Sequence, residues 1–382
     1  MRRLLEGARS RNIPAALLFI DFKKAFDSIH RGTMLKILRA YGIPDNIVDL
    51  IGVMYTDTKA QILTPDGMSE LFDILAGVLQ GDTLAPYIFI IVVDYCMRQA
   101  LDAHPELGLT LTPARSRRVK SVHFSDVEFA DDIGLIADSI ADIQSILSRV
   151  ESAANAVGLY MNVGKTKYMT ANIMGPDVPI LGNSGDRIEK KDNFLYLGSW
   201  IKNTEDDIKV RKVKAWAACH MLKRIWTSNI KKSIKIRLFT ATVESVLLYG
   251  SETWTLTKRL TKMVDGCYTR MLRMALSVSW KQRLTNEELY GRLPKVSSKI
   301  TERRMKLAGH IHRHPELTAN KLLFWEPTHG FANRGAKHAT YIDMLRNDTG
   351  VETAQEIGSL MLERKSWRQR ISVSREYHTR PR

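Results

Sequence analysis

Apolar positions in the first half of this chain fall into short unbroken runs, two of which end on or begin at carboxylates. Residues 2–12 alternate as an amphipathic helix would, and Asn12-Ile13-Pro14 ends it. Ala15-Ala16-Leu17-Leu18-Phe19-Ile20 is continuously apolar, stops at Asp21 and resumes at Phe22, which predicts a core strand with Asp21 at its end. A helix follows with Met34, Leu35 and Leu38 on its apolar face and Asp27 or Ser28 as its cap; Gly42-Ile43-Pro44 breaks it. A second helix is expected from about Asp45 to Tyr55, then a strand and turn over Gln61 to Gly67.

Gly77-Val78-Leu79-Gln80-Gly81-Asp82-Thr83-Leu84-Ala85-Pro86 sets a polar tip between two glycines, a pattern that lets backbone approach a ligand. Asp82 or Thr83 is placed to cap an apolar helix from Pro86 to Leu101, which His104-Pro105 ends. Ser121 to Phe124 with Val127, and then Ile133 to Ala137, read as two strands around the turn Phe129-Ala130-Asp131-Asp132. Helical spacing from Ser139 to Val157 closes on Gly158, a lysine-bearing turn spans Tyr160 to Met169, and a last strand pair ends over Phe194 to Ile201. The order predicts an α+β fold, a sheet covered by helices on one face. Beyond Ile201, residues 206–226, 233–249 and 258–278 carry helical periodicity with Trp216, Trp226, Phe239, Tyr249 and Trp254 interleaved among Lys and Arg. Residues 283–325 continue helical and basic, followed by a loop from Gly330 to Lys337 and a tail ending Arg380-Pro381-Arg382.

Charge sharpens this division. Residues 1–200 hold 21 Lys+Arg against 24 Asp+Glu, and residues 201–382 hold 36 against 17, so the net charge of +16 comes wholly from the second half. A basic half beside a slightly acidic, carboxylate-bearing one suits an enzyme that works on a polyanion. Cys96, Cys219 and Cys267 are too widely spaced for a disulfide framework or a CxxC site, which points to a reducing compartment. No run approaches the length of a membrane span and the first residues lack a secretory segment, so an intracellular protein with no membrane partner is expected.

The chemistry lies in the carboxylates. An unpaired carboxylate at the end of a buried strand is costly, and two adjacent ones at a hairpin tip repel each other; both costs fall when divalent cations bind. If the strands that carry them are antiparallel neighbours, Asp21, Asp131 and Asp132 face one cleft and can hold two Mg²⁺ (or Mn²⁺) roughly 3.5–4 Å apart. Such a site favours phosphoryl transfer, in which charge neutralisation and alignment supply most of the catalysis. Lys165 is the candidate to stabilise a leaving group.

These segments resemble, in order, the palm motifs of reverse transcriptases of non-LTR (LINE-type) retrotransposons: Phe-Ile-Asp21-Phe-Lys-Lys-Ala-Phe-Asp, the Gln80-Gly81 segment, Phe-Ala-Asp131-Asp132, Gly158 to Lys167, and Tyr196-Leu197-Gly198. Leu248-Tyr249-Gly250-Ser251-Glu252-Thr253-Trp254 and the stretch from Arg303-Arg304 to Gly309-His310 also resemble the C-terminal region of those elements. The resemblance implies a right-hand polymerase palm with partial fingers over 1–201, a helical thumb over 202–282 and a basic, largely helical C-terminal region over 283–382. It implies an RNA-directed DNA polymerase that transfers dNMP to a primer 3′-hydroxyl, taking an RNA template, a DNA primer, the RNA–DNA hybrid and dNTPs as partners, and acting in the nucleus if its targets are chromosomal and otherwise in the cytoplasm. Asp21, Asp131 and Asp132 would hold the metals, aided by the Phe22 carbonyl. Phe26 would exclude a ribose 2′-hydroxyl, Gln80 and Gly81 would contact nucleotide and template, Lys165 would lie near the triphosphate, and Tyr196-Leu197-Gly198 would grip the primer.

Only about twenty residues precede Asp21, where the family has substantial fingers, so an N-terminally truncated element lacking the endonuclease and most of the fingers is expected. His310, His312 and His314 have no cysteine partner at metal spacing and read as surface or phosphate-proximal residues. Two other readings share the motifs: a catalytically silent nucleic-acid-binding remnant, and a maturase-like RNA-binding factor.

Overall fold

The structure is a computed structural model and describes residues 1–116, 118–176, 178–332 and 339–377. Most of the expected loop reaching Lys337 and the terminal Arg380-Pro381-Arg382 lie outside the described residues. The chain divides into two compact units. One comprises Arg11–Asp192 with Pro327–Phe331; the other comprises Met1–Ser10, Asn193–Glu326 and Ala332–Arg382. The division expected after residue 201 thus falls between Asp192 and Asn193.

The first unit is α+β. Its strands and long helices run β1 (Ala15–Ile20), α1 (Arg31–Ala40), α2 (Asp45–Met54), α3 (Ala85–Leu101), β2 (Asp126–Phe129), β3 (Asp132–Ala137), α4 (Ile140–Ala156), β4 (Lys167–Ala171) and β5 (Glu189–Lys190). The sheet order is β5-β4-β1-β3-β2, with every pairing antiparallel except β4 with β5. All six β1 residues are buried, as an unbroken apolar run at the centre of a sheet requires. Ala16, Leu18 and Ile20 join Ile133 and Leu135 in a core that includes Phe89, Val92 and Cys96 of α3 and Ile143, Ile146 and Leu147 of α4. Each such aliphatic side chain contributes about 1.5–3 kcal/mol on burial, so this layer fixes where the ends of β1 and β3 lie.

Local chemistry sets the helix ends, not always as expected. Ser139 caps α4, its hydroxyl accepting the Asp142 amide at 3.0 Å. Neither Asp27 nor Ser28 caps α1: the chain makes a separate turn over Ala25–Ser28, and His30 stands at the cap position without a side-chain bond. At α3 the cap position is Leu84, because Asp82 spends its carboxylate on the Leu84 amide at 3.1 Å instead of bonding a helical one. The expected strand from Ser121 through Val127 is divided in two. Val122–Phe124 pairs with Leu109–Thr112 in a separate ribbon, and the chain changes partners at Ser125 before β2.

The second unit is mostly helical. It holds a small hairpin, β6 (Leu195–Tyr196) and β7 (Ser199–Trp200), and its long helices include α5 (Thr204–Met221), α6 (Lys258–Ala275) and α7 (Val296–Arg313). Trp226, Phe239 and Trp254 are 0–1% exposed and form its core with Val264, Tyr268 and Leu272. Those aromatics therefore pack the interior and offer no stacking surface; of the interleaved set, Tyr249 is the one half exposed. His312 is half-buried against Phe324, and burial lowers its pKa, while the His310 and His314 rings lie 4.5 Å apart. Among the described residues no helix is long and apolar enough to cross a membrane.

The N-terminal helix, Arg2–Ser10, belongs to this second unit. Arg2 donates to Asp207 at 3.0 Å and to Thr253 Oγ1 at 2.7 Å, and Asp207 also accepts the Trp254 indole N–H at 2.8 Å. The side chains of Arg2 and Asp207 are 9% and 1% exposed. Replacing Asp207 with Ala strands a buried guanidinium, and the expected cost is about 3–5 kcal/mol of stability. Urea unfolding followed by tryptophan fluorescence reads this as a lower midpoint, with a smaller loss for Asp207→Asn, which keeps an acceptor.

Candidate active site

The sheet register brings the central carboxylates together. Ile20 of β1 pairs with Ile133 of β3, and Phe19 pairs with Lys167 of β4. Both ladders stop there: Asp21 is the next residue of the chain, Asp132 begins β3, and Lys165 stands in the turn before β4, so the ends of three strands meet around Asp21. Lys165 Nζ lies 3.7 Å from Asp21 Oδ2. The Asp21 backbone is held on both edges: its carbonyl accepts the Asn162 amide at 2.7 Å, and its amide donates to the buried Thr166 hydroxyl at 3.2 Å.

Asp131 stands at the tip of the β2–β3 hairpin, whose last pair is Phe129 with Asp132. The intervening turn is Ala130-Asp131, with Ala130 at φ 54°. A left-handed alanine costs of order 1 kcal/mol, which Asn or Gly would avoid. Asp132 has its pKa raised by burial first, then by the negative charges of Asp131 and Asp21. The charges of the three aspartates are therefore felt at one place.

The donor chemistry suits a hard divalent cation. Asp21 Oδ2 is buried with no hydrogen-bond donor, and all the acidic groups offer oxygen. Among the described residues, no three metal-ligating side chains already stand at coordination spacing. The arrangement is thus a set of repelling carboxylates held on one sheet, and a cation would relieve them.

The remaining expected residues of this unit surround Asp21 less uniformly. Phe22 has a buried ring and bridges to Met161. Phe26 is half-buried and stacks on Phe89 at 4.3 Å, so one face belongs to the core. Gln80 is exposed and donates to Asp27 Oδ1 at 2.8 Å, and Gly81, at φ 95°, has open space around it. Gly77 differs: a Cβ there would meet the Asp27 backbone at 2.5 Å. Of the two glycines read as ligand-approach positions, Gly77 is consumed by the chain's own turn.

Sequence reasoning missed Arg31. Its guanidinium donates to the carbonyls of Gly77 at 3.1 Å and Tyr55 at 2.7 Å and to Thr58 Oγ1 at 2.8 Å, while lying over the Tyr55 ring. It pins the start of the Gln80-Gly81 loop to α1 and α2. Only its place directly after Ser28-Ile29-His30 marks it in the sequence, and that signal is too common to have singled it out.

Tyr196, Leu197 and Gly198 lie in the second unit, at the turn of the β6–β7 hairpin. Leu197 and Gly198 both take positive φ, 48° and 73°.

Gly77→Ala adds a backbone clash to a positive φ of 81° and is expected to cost more than about 2 kcal/mol, whereas Gly81→Ala meets only the conformational term of about 1 kcal/mol. Denaturant midpoints of the two variants measured side by side check this order.

The family described as "Reverse transcriptase (RNA-dependent DNA polymerase)" matches residues 5–201. A transposon-derived protein of Caenorhabditis elegans is 27% identical over 268 residues, covering 65% of this chain and 96% of its own. The Pol polyprotein of a type-1 R2 retrotransposable element from Popillia japonica is 26% identical over 66% of this chain and 41% of its own. The corresponding R2 polyprotein of Drosophila melanogaster is 31% identical over 146 residues, 38% of this chain and 13% of its own. The chain thus spans nearly all of the nematode relative but under half of the R2 polyproteins. Telomerase from Candida albicans overlaps at a TM-score of 0.33 and 12% identity over 76% of this chain and 47% of its own, too loosely to add to the assignment. On the family match, with retrotransposon R2 proteins among its relatives, this chain belongs to the reverse transcriptase (RNA-dependent DNA polymerase) family, in its non-LTR, LINE-type branch.

Proposed function

We propose that this chain catalyses RNA-templated DNA synthesis, adding dNMP units to a primer 3′-end. The observation that carries this reading is the register that sets Asp21 beside Asp132 and Lys165 at the end of the buried strand β1. In the reaction the primer 3′-oxygen attacks the α-phosphorus of a dNTP, the bond to the β,γ-phosphates breaks, and pyrophosphate leaves.

Asp21, Asp131 and Asp132, with the Phe22 carbonyl, would hold the two divalent cations that such phosphoryl transfer uses to neutralise phosphate charge and lower the pKa of the attacking hydroxyl. The fixed backbone of Asp21, clamped by Asn162 and Thr166, keeps its carboxylate from following substrate motion. Lys165, exposed and 3.7 Å from Asp21, supplies positive charge, or a proton, toward the leaving pyrophosphate. Phe26, held by its stack on Phe89, would exclude a ribose 2′-hydroxyl, and Gln80, bonded to Asp27, would meet the incoming nucleotide and template with Gly81. The basic second half contacts the RNA–DNA hybrid through its phosphates, and Tyr196-Leu197-Gly198 contact the primer. Work at chromosomal targets would place the protein in the nucleus.

A second reading keeps nucleic-acid binding without catalysis, and the +19 balance of residues 201–382 supports it equally.

Primer extension on poly(rA)/oligo(dT) with Mg²⁺ tests the first reading. Wild type extends, and Asp131→Ala lowers the rate by about 10³-fold or more, the loss expected when several kcal/mol of transition-state charge stabilisation is removed. Lys165→Ala lowers kcat by about 10²-fold. Absence of wild-type extension together with salt-sensitive duplex binding selects the second reading.

A further inference from the structure

We propose that Arg211 and Tyr249 are positioning residues for the primer strand, locking the turn of the β6–β7 hairpin in the geometry that receives it. The inference rests on the reading of Tyr196-Leu197-Gly198 as the primer-contacting segment and assigns a role to the Leu248–Trp254 motif, which the proposed chemistry leaves unused.

The hairpin cannot hold its own shape. Each strand has two residues, Leu195–Tyr196 and Ser199–Trp200, and so short a ribbon is marginal in water. Its two-residue turn takes φ 48° at Leu197 and 73° at Gly198, a pairing that favours Asn or Gly at both positions and disfavours leucine. External contacts hold it instead. The Tyr249 hydroxyl donates to the Leu197 carbonyl at 2.9 Å, and the Arg211 guanidinium donates to the Gly198 carbonyl. Arg211 also lies over the Tyr249 ring, 4.2 Å from its centroid. Both turn carbonyls are thus taken by one stacked pair. Gly250, at φ 72°, lets the segment after Tyr249 pass against Ser199, where a Cβ would stand 2.3 Å from its hydroxyl.

The two partners differ in a way that points to a ligand. Arg211 is 6% exposed and its Nε has no hydrogen-bond partner, whereas Tyr249 is 49% exposed beside the turn. Here a buried cation anchors an open aromatic ring, and such a ring offers a face for a base or sugar of a nucleic-acid strand. Holding turn and ring before binding removes the cost of ordering them when the primer arrives.

The test uses the full chain with Tyr249→Phe, which keeps the ring and its stack but loses the bond to Leu197, and Arg211→Lys, which keeps the charge but loses the planar overlap. Binding of labelled poly(rA)/oligo(dT) without dNTP is measured by fluorescence anisotropy, and KM for primer–template and for dTTP by steady-state extension. The expected result is about a tenfold rise in primer–template Kd and KM for each variant, with KM for dTTP changed by less than about twofold. Thermal unfolding of each variant shows whether it is folded, and Tyr249→Phe alone decides if Arg211→Lys is not. Unchanged primer–template binding in a folded Tyr249→Phe, with wild type binding normally, overturns the inference and leaves the proposed function standing. An equal rise in both KM values overturns it as well. Wild type that neither binds nor extends the duplex removes the proposed function, and this inference with it.

Discussion

Everything at the candidate site depends on a negative charge being held where the sheet would not by itself want one. β1 is buried along its whole length, and the residue that follows is Asp21. Hydrophobic packing of Leu18, Ile20, Ile133 and Leu135 fixes the strands, and their registers deliver Asp21 to Asp132 whether or not the carboxylates repel. The pKa of Asp132 is raised first by burial and then by the charges of Asp131 and Asp21, so that repulsion is one part of the shift. Packing thus supplies the energy that keeps like charges close. Lys165 offsets part of the charge from a flexible, exposed chain, and so can yield to a stronger counterion.

The structure separates rigidity from adaptability along the same lines. Asp21 is clamped through backbone bonds to Asn162 and Thr166, and the loop bearing Gln80 and Gly81 is pinned at its start by Arg31. Beyond that pin, Gly81 has free space and Gln80 is exposed. Under the proposed function, the fixed backbone of Asp21 would serve the cations and the open Gln80-Gly81 loop a nucleotide that differs from one turnover to the next.

How much of this was legible in the sequence varied with the physics involved. The β1 strand, the hairpin around Asp131 and the helix from Ser139 were readable because apolar period, a two-residue turn and a cap each leave a local mark. Helix caps at α1 and α3 were misplaced because Asp27 and Asp82 had competing partners, Gln80 and the Leu84 amide, that no local pattern reveals. Nothing in the interleaving of tryptophans among lysines shows that Trp226 and Trp254 are interior, since helical spacing cannot say which face meets a neighbour. Arg31, Arg211 and the left-handed Ala130 were illegible for a related reason. Each matters through contacts or backbone angles that only the tertiary fold creates.

The discontinuity of the second unit has a consequence for how the chain is made. Its first helix carries Arg2, whose carboxylate partner is Asp207, and Glu6, which accepts the Tyr341 amide at 3.2 Å. During synthesis that helix leaves the ribosome with neither partner yet in existence. At about 5–20 residues per second, it waits for tens of seconds before Tyr341 emerges. In that interval β1 and the rest of Arg11–Asp192 can pair among themselves, while the preceding ten residues stay unsatisfied. Glu6 is therefore translated 335 residues before the amide it accepts, and any nascent-chain arrest short of Tyr341 would leave the Arg2–Ser10 helix without that partner.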